Sequence, residues 1–347
     1  MESKAWLRRF WVQLLAGSVA FLLGLGASAW GLRAVASRYA PPGGDKFAYL
    51  VEHAAEYDVV VIGSSIVAVD FRAQPFEERL RDEHGRRLRA YSFAMGRLTG
   101  AELDFYVHRI LALPMPKLEW LLIDVTLDQK PEMLEKNWYS KRELDWQTPR
   151  QFAIVGSQIM ARNEPLSARL QTLWPYARHL AINVLAIGRG LPALEGFDRR
   201  NEFRDRSLWS SEDTGDERVP IKEAKAARYR ERPDEHEAAV RKLAARRRPS
   251  KSRNNELSAT WRDAAMEQGV QVAYIVGPSM RPSAFPAKVK GEPDLRIFDF
   301  NDPKKHPLLY KLSYHYDPWH MTEPGARVFS QGLADELDAA MDEVEQR

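Results

Sequence analysis

Two short stretches carry residues whose types and spacing can do chemistry. The first is Val59-Val-Val-Ile-Gly63-Ser64-Ser65. A β-branched run into Gly-Ser-Ser puts a hydroxyl at the carboxyl end of a buried strand, where sites form in parallel sheets. Exposed backbone N–H groups at such a turn can polarise a carbonyl and stabilise an oxyanion. A plainer role is open too: Ser64 or Ser65 caps the next helix. Gly-x-Ser recurs at Gly26-Ala-Ser28 and Gly277-Pro-Ser279, so the pattern by itself does not single out one serine. The second stretch is Tyr316-Asp317-Pro-Trp-His320-Met-Thr-Glu-Pro-Gly325, the one place where Asp-x-x-His occurs. Three residues of turn can bring the carboxylate onto one imidazole nitrogen and leave the other to act as a base. A surface Asp-Pro turn with a helix-entry histidine is the alternative.

The two stretches are far apart in the chain, so a particular fold must bring them together. Tyr57 to Ile62, Leu118 to Val125, Val270 to Val276 and Leu295 to Phe300 read as short buried strands. Helical stretches separate them. Thr99-Gly-Ala-Glu102 forms a capping box, followed by Leu103, Tyr106, Ile110 and Leu111 at helical spacing. Leu257 to Met266 leads into the third strand. After Pro324-Gly325, Val328, Phe329, Leu333, Leu337, Met341 and Val344 share one face of a final helix. Strands alternating with helices predict an α/β fold with a parallel sheet covered on both sides. Such a sheet can hold residue 65 and residue 320 at one carboxyl edge.

Composition sets the class. The chain has 347 residues, 44% hydrophobic and 29% charged, which supports a core and excludes a disordered or collagen-like chain. With 51 Lys+Arg against 48 Asp+Glu, no global basic field for nucleic acid is built. The absence of cysteine excludes disulfides, thiolate metal sites and a cysteine nucleophile. There is no GxxxxGK[ST] loop, no GxGxxG turn and no HExxH motif, and the eight histidines are scattered. No cofactor and no metal is expected.

Phe10 to Leu32 is an uncharged run of 23 residues. At helical rise it spans about 34 Å, enough for a hydrocarbon core of about 30 Å. Lys4, Arg8 and Arg9 precede it; Arg33 and Arg38 follow. This bias favours a cytoplasmic N-terminus with the rest of the chain in the periplasm or outside the cell. A transmembrane anchor over 1–38 is the leading expectation. A signal peptide cleaved near Ala27-Ser-Ala29 is the rival, and a buried soluble helix the weakest. Residues 39–54, with Pro41-Pro-Gly-Gly44, read as a tether.

Residues 130–255 break the strand–helix rhythm and read as a helical and charged insertion. Lys222 to Arg253 holds twelve Lys/Arg and five Asp/Glu. This is a solvated face or, alternatively, a patch for anionic lipid or an acidic polymer. Trp138, Tyr139, Trp146, Trp174 and Tyr176 read as core or membrane-facing rather than a carbohydrate platform. Near the second stretch, His315 and Tyr316 are candidates for the site mouth, and Trp319 for packing over the loop or a wall for a sugar.

Taken together the residues resemble the SGNH (GDSL-like) hydrolase superfamily. Gly63-Ser64-Ser65 is similar to its first block, with Ser64 where Asp is usual, and Asp317-Pro-Trp-His320 with Gly325 to its last. The membrane run and the Gly-Ser-Ser variant are most similar to the branch of the teichoic acid D-alanine transfer protein and the alginate O-acetylation proteins. The resemblance covers 55–129 and 256–340 and implies a three-layer α/β/α flavodoxin-like domain. It implies Ser65 as nucleophile, His320 as general base and Asp317 as its orienting carboxylate. Oxyanion donors would be the Ser65 N–H and a glycine of the second block, Gly96 or Gly100, in Tyr91-Ser-Phe-Ala-Met-Gly96-Arg-Leu-Thr-Gly100. The third block's Asn is absent from Asp124-Val-Thr126-Leu-Asp128, leaving Thr126 as a replacement. Losing one oxyanion donor typically costs about 10²–10³ in rate. The implied activity is a membrane-anchored serine esterase or O-acyltransferase acting on acyl groups of a cell-surface polysaccharide. A catalytically degraded scaffold that partners a multi-spanning membrane acyltransferase or an export complex is the alternative. A soluble lipase released by signal cleavage fits the long apolar run less well.

Overall fold

A computed structural model describes residues 2–39, 44–96, 98, 100–126, 146–185, 214, 223–246, 255–283, 285 and 295–346. Five parallel strands form one sheet: β1 (Val59–Gly63), β2 (Ala90–Ala94), β3 (Trp120–Asp124), β4 (Gln271–Val276) and β5 (Arg296–Asp299), in the order β2-β1-β3-β4-β5. The register is set at Val59 opposite Ala90 and Trp120, Trp120 opposite Gln271, and Ala273 opposite Arg296. After β2 the chain crosses to the other side of β1. The carboxyl ends of β1 and β3 therefore flank the point where strand order reverses, the crevice in which open α/β sheets place ligands.

The four strands read from the sequence are present, with ends that differ by at most two residues. The fifth, β2, falls in the segment read only as the second block. Ala90-Tyr-Ser-Phe-Ala has no β-branched residue, and its pairing with β1 rather than local propensity makes it a strand.

Burial on both faces explains the near-continuous apolar strands. Alternate residues enter two different cores. Val60, Ile62, Phe93, Leu121, Ile123 and Tyr274 pack with α2 (Gly44–Glu52), α5 (Gly100–Leu111) and α10 (Asn255–Met266) through Phe47, Tyr106, Ile110 and Trp261. Val59, Val61, Leu122, Ala273 and Ile275 pack with α3 (Ser65–Asp70), α4 (Ala73–His84) and α11 (Glu323–Glu345) through Val67, Phe76, Leu80, Phe329, Leu333 and Leu337. Each fully buried side chain of this size stabilises the fold by roughly 1.5–3 kcal/mol, so the sheet edge that carries the site is rigidly backed. The final helix is present with the expected face inward. Glu102 lies in the first turn of α5, while Thr99 of the expected capping box lies outside the described residues.

Part of the expected tether is a core element. Phe47 and Leu50 of α2 are buried, because their spacing puts both on one helix face against Phe93 and Tyr106.

The chain divides into two compact units. One comprises Met1–Gly44 with Glu132–Asn201, the other Asp45–Pro131 with Glu202–Arg347. The first holds α1 (Glu2–Tyr39), α6 (Pro149–Met160) and α7 (Leu166–Val184). The stretch Arg9–Gly31 of α1 is long and apolar enough to cross a membrane, a property it shares with signal sequences. Trp11, Leu15, Phe21, Leu22 and Leu23 are exposed along it. Of the insertion aromatics, Trp146 and Tyr176 are buried and Trp174 is exposed, while Trp138 and Tyr139 lie outside the described residues. The second unit holds the sheet, its helices, and α8 (Glu223–Arg230) and α9 (Pro233–Ala244) from the charged run. His236 of α9 is buried, bonded to the Tyr310 carbonyl at 2.8 Å and to the Tyr229 hydroxyl at 2.9 Å. Part of that run is thus packed rather than purely solvated. Arg246 is described; Arg247 and Arg248 are not.

Candidate functional site

The Gly-Ser-Ser turn is shaped by β3. A Cβ on Gly63 would lie 2.4 Å from the Asp124 Cβ, so only glycine lets the two strand ends approach this closely. The approach serves Ser64, whose amide and hydroxyl donate to Asp124 Oδ2 at 3.0 and 2.7 Å. Ser64 also caps α3, its Oγ accepting from the Ile66 amide at 3.4 Å. Ser64 is thus the cap, and Ser65 is the first helical residue and partly exposed.

The histidine loop is built by Asp317. Its Oδ1 accepts from the amides of Trp319 and His320 at 2.7 and 2.9 Å, the bonding of an Asx turn. The loop is closed by an antiparallel bridge between His315 and Met321 and by the Thr322 amide donating to the Tyr314 carbonyl at 2.8 Å. Gly325 admits this loop against the start of α11, since a Cβ there would sit 2.6 Å from the Tyr314 carbonyl oxygen.

These two devices meet. His320 Nε2 lies 3.2 Å from Ser65 Oγ, and His320 Nδ1 lies 3.0 and 3.2 Å from the two oxygens of Asp317. An ionised carboxylate only accepts, so in the tautomer that pairs with an ionised Asp317 the proton is on Nδ1 and the Nε2 lone pair faces the hydroxyl. Asp317 is buried and His320 is partly exposed. Ser65, His320 and Asp317 stand in hydrogen-bond sequence, an arrangement in which an imidazole can take a proton from a serine. The expected convergence of residues 65, 317 and 320 is therefore present geometrically.

The expected oxyanion positions are less uniform. The Ser65 amide has no acceptor among the described residues, as the first turn of a helix provides. Gly96 follows β2 in a turn, and Gly100 opens α5; both are buried. Met95 beside Gly96 donates its amide to the Gly63 carbonyl at 2.9 Å, which draws this segment to the end of β1. Thr126 is committed elsewhere: its amide donates to Asp124 Oδ1 at 2.8 Å, and its Oγ1 accepts from the Gly277 amide at 2.6 Å. Its hydroxyl proton is the donor that remains.

Asp70, at the far end of α3, was not anticipated. It is fully buried; one oxygen accepts from the Met321 amide at 2.8 Å and the other has no hydrogen-bond partner among the described residues. Burial raises its pKa to about 7, against the opposing pull of His320 and the Met321 amide. The sequence signal was a lone acid in the apolar run Ile66-Val-Ala-Val-Asp70-Phe. Just beyond it, Arg72 donates its amide to Ser330 Oγ at 2.8 Å and pairs with Glu323 at 3.0 Å, fixing the end of α3 to α11.

His315 is not at the mouth of the site. It is fully buried, bonded at Nε2 to the Leu309 carbonyl at 2.8 Å, and its pKa is lowered to about 4 chiefly by that burial. Tyr316 is also buried and stacks on the His320 ring, with centroids 5.6 Å apart and planes 11° apart. Burial, followed by the charges of Asp317 and Asp70, pushes its phenol pKa upward. Trp319 is half-buried and covered on one face by the Arg281 guanidinium, 3.9 Å from the ring centroid. Among the described residues no group of three or more His, Cys, Asp or Glu could hold a metal ion.

No protein-family model matches the chain, and no curated protein sequence is significantly similar to it.

Proposed function

We propose that the α/β unit is an SGNH-like serine esterase or O-acyltransferase, a three-layer flavodoxin-like domain anchored by α1 and facing the periplasm or cell exterior. The single observation that carries this reading is the Ser65–His320–Asp317 hydrogen-bond sequence. The strand order, with its reversal between β1 and β3, supports the flavodoxin-like class.

In the proposed reaction Ser65 Oγ attacks the ester carbonyl while His320 Nε2 takes its proton. The negative charge develops on the former carbonyl oxygen, within reach of the Ser65 amide. Collapse breaks the bond to the leaving alcohol, and His320 returns the proton to that oxygen. The acyl-enzyme is then attacked by water, or by a hydroxyl of a cell-surface polysaccharide, with His320 again the base. Asp317 holds the imidazole in the required tautomer and stabilises the imidazolium.

A second reading, a degraded scaffold serving a multi-spanning membrane acyltransferase, draws on one observation. Thr126, which stands where the family's third donor belongs, already uses its amide on Asp124 and its Oγ1 on Gly277. Fluorophosphonate labelling of the full chain in membranes separates the two. Labelling lost in Ser65→Ala and kept in Ser64→Ala is expected. No labelling at any serine would leave the scaffold. For orientation, a reporter active only in the periplasm, fused after residue 347, is expected to be active; a silent fusion would reverse the proposed topology.

A further inference from the structure

The longer helix of the insertion, α7, presents an exposed apolar face. Its rotation about its own axis is fixed by two bonds near its opposite ends. Asn183 Nδ2 donates to the Gln147 carbonyl just before α6, at 2.7 Å, and the Arg169 guanidinium donates to the Met160 carbonyl at the end of α6, at 2.6 Å. Tyr176, His179 and Asn183 are the buried residues of the helix. Leu166, Leu170 and Trp174 follow one another at a spacing of four, which stacks them on one helix face. They are 53%, 51% and 68% exposed. Ala181 and Val184 carry the exposed face to the end of the helix. A single exposed leucine needs no explanation, but an apolar row along a helix of 19 residues marks an interaction surface.

Three features fit a bilayer surface as its occupant. First, α7 belongs to the same compact unit as α1, with its membrane-length apolar run. Second, residues 149–184 carry Arg150, Arg162, Arg169 and Arg178 against Glu164 alone, a balance suited to anionic headgroups. Third, Trp174, the most exposed of the row, has the amphipathic ring that settles at headgroup level. The helix lies on a membrane rather than across it. Two arginines and the buried His179 and Asn183 interrupt its apolar character, and among the described residues only α1 is long and apolar enough to span.

We infer that α7 is an interfacial helix, lying in the plane of the membrane with Leu166, Leu170 and Trp174 among the lipids. This rests on the reading of α1 as a membrane anchor and is independent of the chemistry at Ser65. A single spanning helix leaves its unit free to turn about the membrane normal and to tilt; a second, in-plane contact fixes the tilt.

The absence of cysteine lets one introduced thiol carry one probe. Leu170→Cys, Trp174→Cys, Leu22→Cys in the middle of α1 and Glu237→Cys on exposed α9 are each labelled with an environment-sensitive nitrobenzoxadiazole dye. The full chain is reconstituted in vesicles of phosphatidylethanolamine and phosphatidylglycerol. Labels at 170 and 174 are expected to emit to the blue of the label at 237 and to resist iodide. Nitroxide lipids should place them about 5–10 Å below headgroup level, and the label at 22 deeper. Thermal unfolding checks each variant, and Leu170→Cys carries the comparison if Trp174→Cys is not folded. Iodide reaching 170 and 174 as readily as 237, with 22 still embedded, would overturn the interfacial helix and leave the anchor standing. Protection of 170 and 174 from iodide and nitroxide lipid alike would overturn the lipid assignment in favour of a second copy of the chain. Iodide reaching 22 as well would sink the anchor reading and this inference with it.

Discussion

Asp70→Asn isolates one buried charge. The folded protein holds the Asp70 proton with a pKa of about 7, against 3.8 as the ordinary value. The folded state thus binds this proton more tightly than the unfolded chain does. Its contribution to stability is complete below about pH 4 and is lost as pH rises through about 7. At about 1.4 kcal/mol for each tenfold change in proton affinity, the whole displacement corresponds to about 4 kcal/mol. Asparagine keeps an oxygen for the Met321 amide and never ionises. The difference in stability between variant and wild type should therefore grow by up to about 4 kcal/mol in favour of the variant between acid and mildly alkaline pH. The groups facing Asp70 are His320, Asp317 and Tyr316 from the loop and Arg72 from the end of its own helix. They are common to both proteins and largely cancel in the difference. Denaturant unfolding of the full chain in detergent, followed by tryptophan fluorescence across that range, measures it. Parallel stability curves across that range would refute the account of Asp70 as a buried, titrating carboxylate.

Gly63→Ala drives a methyl into Asp124, so the strand ends must separate and the Ser64 bonds break. A loss of about 1–3 kcal/mol from overpacking, with strongly slowed labelling, is expected by thermal unfolding and probe kinetics. Asp317→Asn retains an oxygen for the Trp319 and His320 amides, so the loop should persist. Its NH₂ group facing His320 favours the wrong tautomer, and labelling of Ser65 should slow by about 10⁴-fold with little change in unfolding temperature.

Much of the fold was legible because burial on both faces leaves long β-branched runs. Val59-Val-Val-Ile and Val272-Ala-Tyr-Ile-Val announce themselves. β2 did not, since Tyr91-Ser-Phe becomes a strand only through its partner Val60-Val-Ile. The Asp-x-x-His turn was legible for a local reason: its bonds run between residues at most three apart. Asp70 was not, because its partner lies 251 residues away. His315 was misplaced for a similar reason. A loop histidine looks solvated until α9 and the Leu309 carbonyl enclose it.

The sequence by itself determined the local pieces: an apolar N-terminal helix, four of the strands, the final helix, a Gly-Ser-Ser turn and an Asp-x-x-His turn. Each is dictated by side-chain period or by hydrogen bonds within a few residues. Tertiary structure decided which serine faces the imidazole. It placed Asp124 where Ser64 must bind it, leaving Ser65 3.2 Å from His320. That choice depends on strand order and on contacts some 60 and 255 residues apart. Such distances are closed by packing of the two cores and are encoded in no local pattern.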